Sequence, residues 1–245
     1  MITVKGIVLR EYAVGENGKF IDILTQENGV ISLTVRGARK INGKSGSSTQ
    51  LFAYSEFCYS ENGDYRILNS SEPIRIFYKL RNSLTKISLA SYFSEVVRFC
   101  AEPQPDNDIL RLFLNTLHFL ENDLRDEKML KAIFELRLMS EIGFMPDVTI
   151  CQKCGAFEPH ELFFSIRESC FYCKDCFSEN PDEWYRINIS VLSAMRHILL
   201  TDFNRLYNFR TSENTMNTLS DVAEKYLLFR LERNFRTLSF YKSLK

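Results

Sequence analysis

The sequence predicts an α+β fold: an N-terminal five-stranded barrel followed by an α-helical domain with an inserted four-cysteine module. Three observations predict it. Up to Phe77, apolar residues alternate with polar ones in the period-two pattern of half-buried strands. From Lys79 onward they recur in steps of three and four, which places them on one face of helices. Between two such helical stretches lie two Cys-x-x-Cys pairs.

Five strand-like runs are present: Ile2 to Tyr12, Lys19 to Thr25, Ile31 to Val35, Leu51 to Tyr59, and Tyr65 to Phe77. Ile31, Leu33 and Val35 point one way, while Ser32, Thr34 and Arg36 point the other. Glu27-Asn28-Gly29 and Glu61-Asn62-Gly63-Asp64 separate neighbouring runs as hairpin turns require. Gly6 interrupts the first run, where a bulge or sharp bend would suit it. Five short strands suit a small barrel better than one open sheet, and the five-stranded OB-fold is the commonest nucleic-acid-binding version. An SH3-like barrel without a ligand fits the same pattern.

The helical part begins with Leu89, Phe93, Val96, Val97 and Cys100 on one face. Glu102-Pro103-Gln104-Pro105-Asp106 ends that helix. Leu110, Phe113, Leu117 and Leu120 form a second stripe, and Leu130, Ile133, Phe134 and Leu138 a third that stops near Gly143 and Pro146. Two more follow the cysteines, through Val191 to Leu199 and Leu219 to Phe235. The expected division is a nucleic-acid-binding barrel at 1–78, helices at 79–147 and 183–245, and a zinc-binding insertion at 148–182.

A length of 245 residues with 45% hydrophobic and 25% charged residues is enough for a real core and excludes wholesale disorder. No apolar run is long enough for a membrane helix, and Met1 to Val30 lack the apolar centre of a signal peptide, so a cytoplasmic location is expected. Thirty-one basic against 31 acidic residues argue against binding nucleic acid by bulk charge, though not against a local patch.

Seven cysteines make a fully paired disulfide framework unlikely by parity. Cys151-Gln-Lys-Cys154 and Cys173-Lys-Asp-Cys176 are separated by 18 residues, the spacing of a zinc site. Two residues between thiols let both sulfurs turn toward one ion, and two such turns complete a tetrahedron. Four thiolates leave no open position, so the zinc is expected to be structural. Cys170-Phe-Tyr-Cys173 is also a Cys-x-x-Cys pair, and spacing alone permits Cys170 in place of Cys176. A redox dithiol or free buried cysteines are the other readings.

His118, His160 and His197 lack the context of a zinc deaminase. No phosphate loop, nucleophile elbow or His-Glu-x-x-His helix occurs, so no catalytic residue is assigned. Arg36, Arg39, Lys40 and Lys44 lie in a stretch with no acid. Such cations can track phosphates while neighbouring aromatics, here Phe20, Phe52, Tyr54, Phe57 and Tyr59, stack bases or fill the core. A solvated loop fits equally well. Near the C-terminus, Lys225, Arg230, Arg233, Arg236, Lys242 and Lys245 either extend that track or complement helix ends.

Taken in order, these features resemble the RecO family of bacterial DNA repair proteins. The resemblance runs through Gly6-Ile-Val-Leu9, Tyr12 with Gly15-Glu16, Thr25 with Gly29, Phe134-Glu-Leu-Arg137, Gly143-Phe-Met-Pro146, and Cys151-Gln-Lys-Cys154-Gly155 followed by Phe164-Ser165. It covers essentially the whole chain. It implies a recombination mediator without enzymatic turnover that binds single- and double-stranded DNA and anneals complementary strands. The implied partners are RecR, often RecF, the acidic C-terminal tail of the single-strand-binding protein SSB, and RecA indirectly, with no membrane. It further implies DNA contact through Arg36, Arg39, Lys40 and Lys44, and zinc ligation by Cys151, Cys154, Cys173 and Cys176. Cys170 departs from the family, standing where relatives commonly have glycine. A cytoplasmic, nucleoid-associated location goes with that role. Two rival classes are a zinc-stabilised interaction scaffold without DNA affinity and a metal-dependent hydrolase, which would need an open coordination site.

Overall fold

The structure, a computed structural model, describes the chain apart from residues 16–17, 37–45, 64, 101–106 and 178–183. It divides into two compact units, Met1–Asn122 with Phe235–Lys245, and Asp123–Asn234.

The first unit opens with β1 (Ile2–Val14), β2 (Gly18–Thr25), β3 (Gly29–Val35), β4 (Ala53–Asn62) and β5 (Tyr65–Ile76). They close into a barrel in the order β1-β2-β3-β5-β4, with β4 returning to β1. All pairings are antiparallel except β3 with β5, which meet in parallel at Thr34 and Ile67. This is the closure of an OB-fold and accounts for the alternation in the sequence. Val4, Val8, Ile21, Ile23, Leu33 and Phe57 fill the interior. In the β2–β3 turn, Gly29 takes φ +59°, and the Thr25 hydroxyl donates to its carbonyl while accepting from Asn28 N–H.

Gly6 does not carry the bulge expected of it. It pairs in register with Thr25 and Ser55, and a Cβ there would sit 2.7 Å from the Leu24 carbonyl oxygen. Its role is close backbone approach. The register break falls between Val8 and Arg10, leaving Leu9 as the extra residue. An extra residue reverses which face the following side chains occupy.

Helices α1 (Leu84–Cys100) and α2 (Asn107–Glu121) also belong to this unit. Leu89, Phe93, Val96 and Val97 are buried, as their spacing predicts. On α1, Ser94 donates to the Leu9 carbonyl at 2.7 Å, and Arg98 reaches Asp22 at 3.0 Å. Ser32 on β3 donates to the other oxygen of Asp22. The helix is thereby fixed to the outer face of the barrel at the row Arg10–Asp22–Ser32.

The second unit holds α3 (Glu127–Glu141), the short strands β6 (Leu162–Ser165), β7 (Cys170–Cys173) and β8 (Trp184–Ile187), then α4 (Ile189–Leu200) and α5 (Glu213–Arg230). Asp126, Asn188 and Ser212 cap the three helices by accepting from backbone N–H groups of the first turn. Buried Lys131 on α3 lies 2.9 Å from Glu135 and 2.9 Å from Glu224. Arg137 donates to the last carbonyls of α4 at Ile198, Leu199 and Thr201, satisfying groups a helix end leaves open. The three strands form an antiparallel sheet in the order β7-β6-β8. The last helix, α6 (Arg236–Ser243), returns to the first unit. Among the described residues, no helix is long and apolar enough to cross a membrane.

Candidate metal centre and nucleic-acid face

Two tight turns bring the cysteines together. In the first, Gly155 N–H donates to the Cys151 carbonyl at 2.9 Å, and Gly155 takes φ +75°, which suits a residue without a side chain. In the second, Cys176 and Phe177 N–H groups donate to the Cys173 carbonyl at 3.0 and 2.9 Å. The sulfurs of Cys151, Cys154, Cys173 and Cys176 all lie within 4.8 Å of one another. Cys154 and Cys173 are 3.7 Å apart. That matches the edge, about 3.8 Å, of a tetrahedron built on zinc–sulfur bonds of about 2.3 Å. It is far longer than the roughly 2.05 Å of a disulfide.

The surroundings favour thiolate at Cys151. Burial pushes the Cys151 thiol up, but backbone N–H groups of Cys154, Cys173 and Lys153 outweigh it and bring the thiol down to about 6. The Cys173 N–H stands 3.3 Å from that sulfur. Hydrogen bonding with Cys173 is the main reason the Cys176 thiol is pushed up to about 12, and burial raises that of Cys173. Cys173 and Cys176 therefore keep their protons until a cation displaces them. The donor set therefore fits a soft, tetrahedral metal ion.

Cys170 is not among the four. It pairs with Ser165 in the β6–β7 ladder, its sulfur lies 3.9 Å from Glu168, and burial pushes its thiol up to about 11. The geometry thus selects Cys176 over Cys170 as the fourth sulfur.

On the barrel, Arg36 follows Val35 and is exposed. Arg39, Lys40 and Lys44 lie outside the described residues. Of the aromatics in that region, Phe52, Phe57 and Tyr59 are buried, so stacking on a base is closed to them. Phe57 and Tyr59 belong to the barrel core, and Phe52 packs against Phe113. Phe20 and Tyr54 are half-buried. Tyr12, which sequence reasoning left unassigned, is exposed beside Phe20 with ring centroids 5.4 Å apart. Its parity with Val4 and Val8 would have placed it inside; the Leu9 bulge turns it out.

The C-terminal cations include structural ones. Arg230 donates to the carbonyls of Ile166 and Arg167 and to Ser169, while Lys225 pairs with Asp221 at 2.9 Å. Two of the histidines sit among packing partners. His118 bonds Arg75 and Asn122, and His197 bonds the Arg205 carbonyl beside the Phe209 ring.

The chain matches two family models, the N-terminal part of recombination protein O over residues 1–77 and its C-terminal part over residues 81–239. It is 33% identical over 240 residues to a DNA repair protein RecO of Acetivibrio thermocellus, covering 98% of this chain and 95% of that one. A RecO of Caldicellulosiruptor saccharolyticus is 30% identical, with 100% of this chain and 99% of the other covered. For RecO of Bacillus subtilis the identity is 30%, over 91% and 86% of the two chains.

Proposed function

The chain belongs to the RecO family of DNA repair proteins, and from that premise we propose that it mediates recombination by binding DNA rather than by turning over a substrate. It binds single- and double-stranded DNA, anneals complementary strands and, with RecR and RecF, promotes RecA loading on strands coated by SSB. The observation carrying this reading is the exposed Arg36 at the end of β3, leading into the cationic stretch with Arg39, Lys40 and Lys44. Annealing requires phosphate charge to be neutralised without sequence being read, so that two strands can approach and find register. A cationic barrel rim does this without acid–base residues.

The barrel of residues 1–78 carries the nucleic acid. The helical part, 79–147 and 183–245, receives protein partners, the acidic SSB tail among them. The insertion, 148–182, holds one zinc ion through Cys151, Cys154, Cys173 and Cys176. With four protein sulfurs no position remains for water or substrate, so the ion braces the fold. The work is done in the cytoplasm, at the nucleoid. The test is to mix complementary oligonucleotides, bare and SSB-coated, with the purified protein. Faster annealing than the spontaneous rate supports the reading; no acceleration on either substrate overturns it and leaves a zinc-stabilised scaffold.

A further inference from the structure

The outer face of β1, β2 and β3 carries three successive rows of paired residues. Arg10, Asp22 and Ser32 form the first, Tyr12, Phe20 and Thr34 the second, and Val14 pairs with Gly18 in the third, which Arg36 continues by strand parity. α1 covers the first row only at Asp22, which Arg98 neutralises, and Arg10 stays exposed. The second is more open: Tyr12 is 39% exposed, with the Phe20 ring beside it and the Arg10 guanidinium over its ring, 4.8 Å from the centroid. The nearby acid Glu11 is taken by Lys19 at 2.7 Å. Among the described residues, neither Arg10 nor Arg36 has a carboxylate partner. Among the described residues, the face therefore presents an exposed tyrosine with one cation over its ring and a second, Arg36, one row further on, neither held by a carboxylate.

We propose that Tyr12, backed by Phe20, is a base-stacking platform for single-stranded DNA on this barrel, with Arg10 and Arg36 meeting the phosphates on either side. Every base has a π-face, so stacking on tyrosine adds affinity without reading sequence, and arginine beside the ring reinforces it. The platform discriminates by strandedness: a base within a duplex is stacked on its neighbours and offers no free face. This assignment rests on the DNA-binding reading above, and names the part of the nucleic acid that the barrel grips besides phosphate.

The experiment compares binding of the full chain to a thymine homopolymer and to an abasic deoxyribose-phosphate strand of equal length, followed by fluorescence anisotropy at low salt. The wild type is expected to favour the thymine strand. Tyr12→Ala should weaken that binding about tenfold, within the range of one stacked base, and leave abasic binding within about twofold. Tyr12→Phe should retain wild-type affinity, and Tyr12→Leu, which keeps apolar bulk, should behave like Tyr12→Ala. Equal loss on both strands, or no loss on thymine, overturns the platform while leaving DNA binding intact. A wild type that binds neither strand overturns the platform and the DNA-binding reading together.

Discussion

Phe177 stacks on Phe163 with ring centroids 4.0 Å apart and planes 13° from parallel. Phe177 directly follows the fourth sulfur, Cys176, and its ring meets Trp184 edge-on at 5.1 Å. The state of the cysteine cluster is thereby linked to the chain's sole tryptophan. Removing the metal with a chelator is expected to release Phe177 and shift Trp184 emission to longer wavelength, reversibly on adding zinc. Emission that ignores both chelator and zinc would disprove the link.

Ligand identity is separable by two single substitutions. Cys176→Ser should cost most of the bound zinc, because sites of this kind hold the ion by roughly 10–16 kcal/mol through their full set of ligands and serine is a poor replacement for a thiolate. Cys170→Ser should keep a full complement, since Cys170 lies outside the four-sulfur group. Metal content by elemental analysis after gel filtration decides it.

The cationic stretch should show itself in salt dependence. Replacing Arg36, Arg39 and Lys40 together by alanine should flatten the slope of log affinity against log salt by about 2, at roughly 0.7 per lost single-strand contact. An unaltered slope in a folded variant would remove these residues from the interface.

Gly6→Ala should destabilise the barrel. The new methyl would meet the Leu24 carbonyl oxygen at 2.7 Å and Thr25 Cγ2 at 3.1 Å, so β1 and β2 must part. A loss of about 1–3 kcal/mol is expected, read as a lower midpoint in denaturant; an unchanged midpoint would show that the strands yield freely.

Lys131→Met should cost about 3–5 kcal/mol by leaving Glu135 and Glu224 without their buried cation. Burial pulls the Lys131 ammonium down, but those two carboxylates outweigh it and hold it above the ordinary lysine value of 10.5. The folded pKa being the higher one, the stabilisation is complete below about pH 10.5 and fades as pH rises through the folded value. On the alkaline side of neutrality, the gap in melting temperature between wild type and variant should narrow only in strong alkali.

Much of this molecule is legible in its sequence, and the limits are instructive. The five strands of the barrel, the Gly29 turn and the paired Cys-x-x-Cys turns follow from local chemistry, because each is fixed by residues a few positions apart, whereas the four-residue β6, β7 and β8 are too short to show alternation. Alternation in β4 also carries the burial of Phe57 and Tyr59, which share parity with Ala53 and Ser55. Tyr12 is different. Its outward direction depends on the Leu9 bulge, which is held by Ser94 on a helix 85 residues away. Spacing alone allows Cys170 as readily as Cys176; only the family resemblance points to Cys176, and Cys170 does lie outside the four-sulfur group.

The return of α6 to the first unit bears on how the chain is made. Thr237 donates to Glu95 through both its amide and its hydroxyl, and Phe235 packs edge-on against Tyr92 and Phe99. A ribosome finishes Asp123–Asn234 before it releases those partners. The barrel-bearing unit, begun first, is thus sealed last, and a nascent chain paused at Asn234 would still show its α1 aromatics to chaperones.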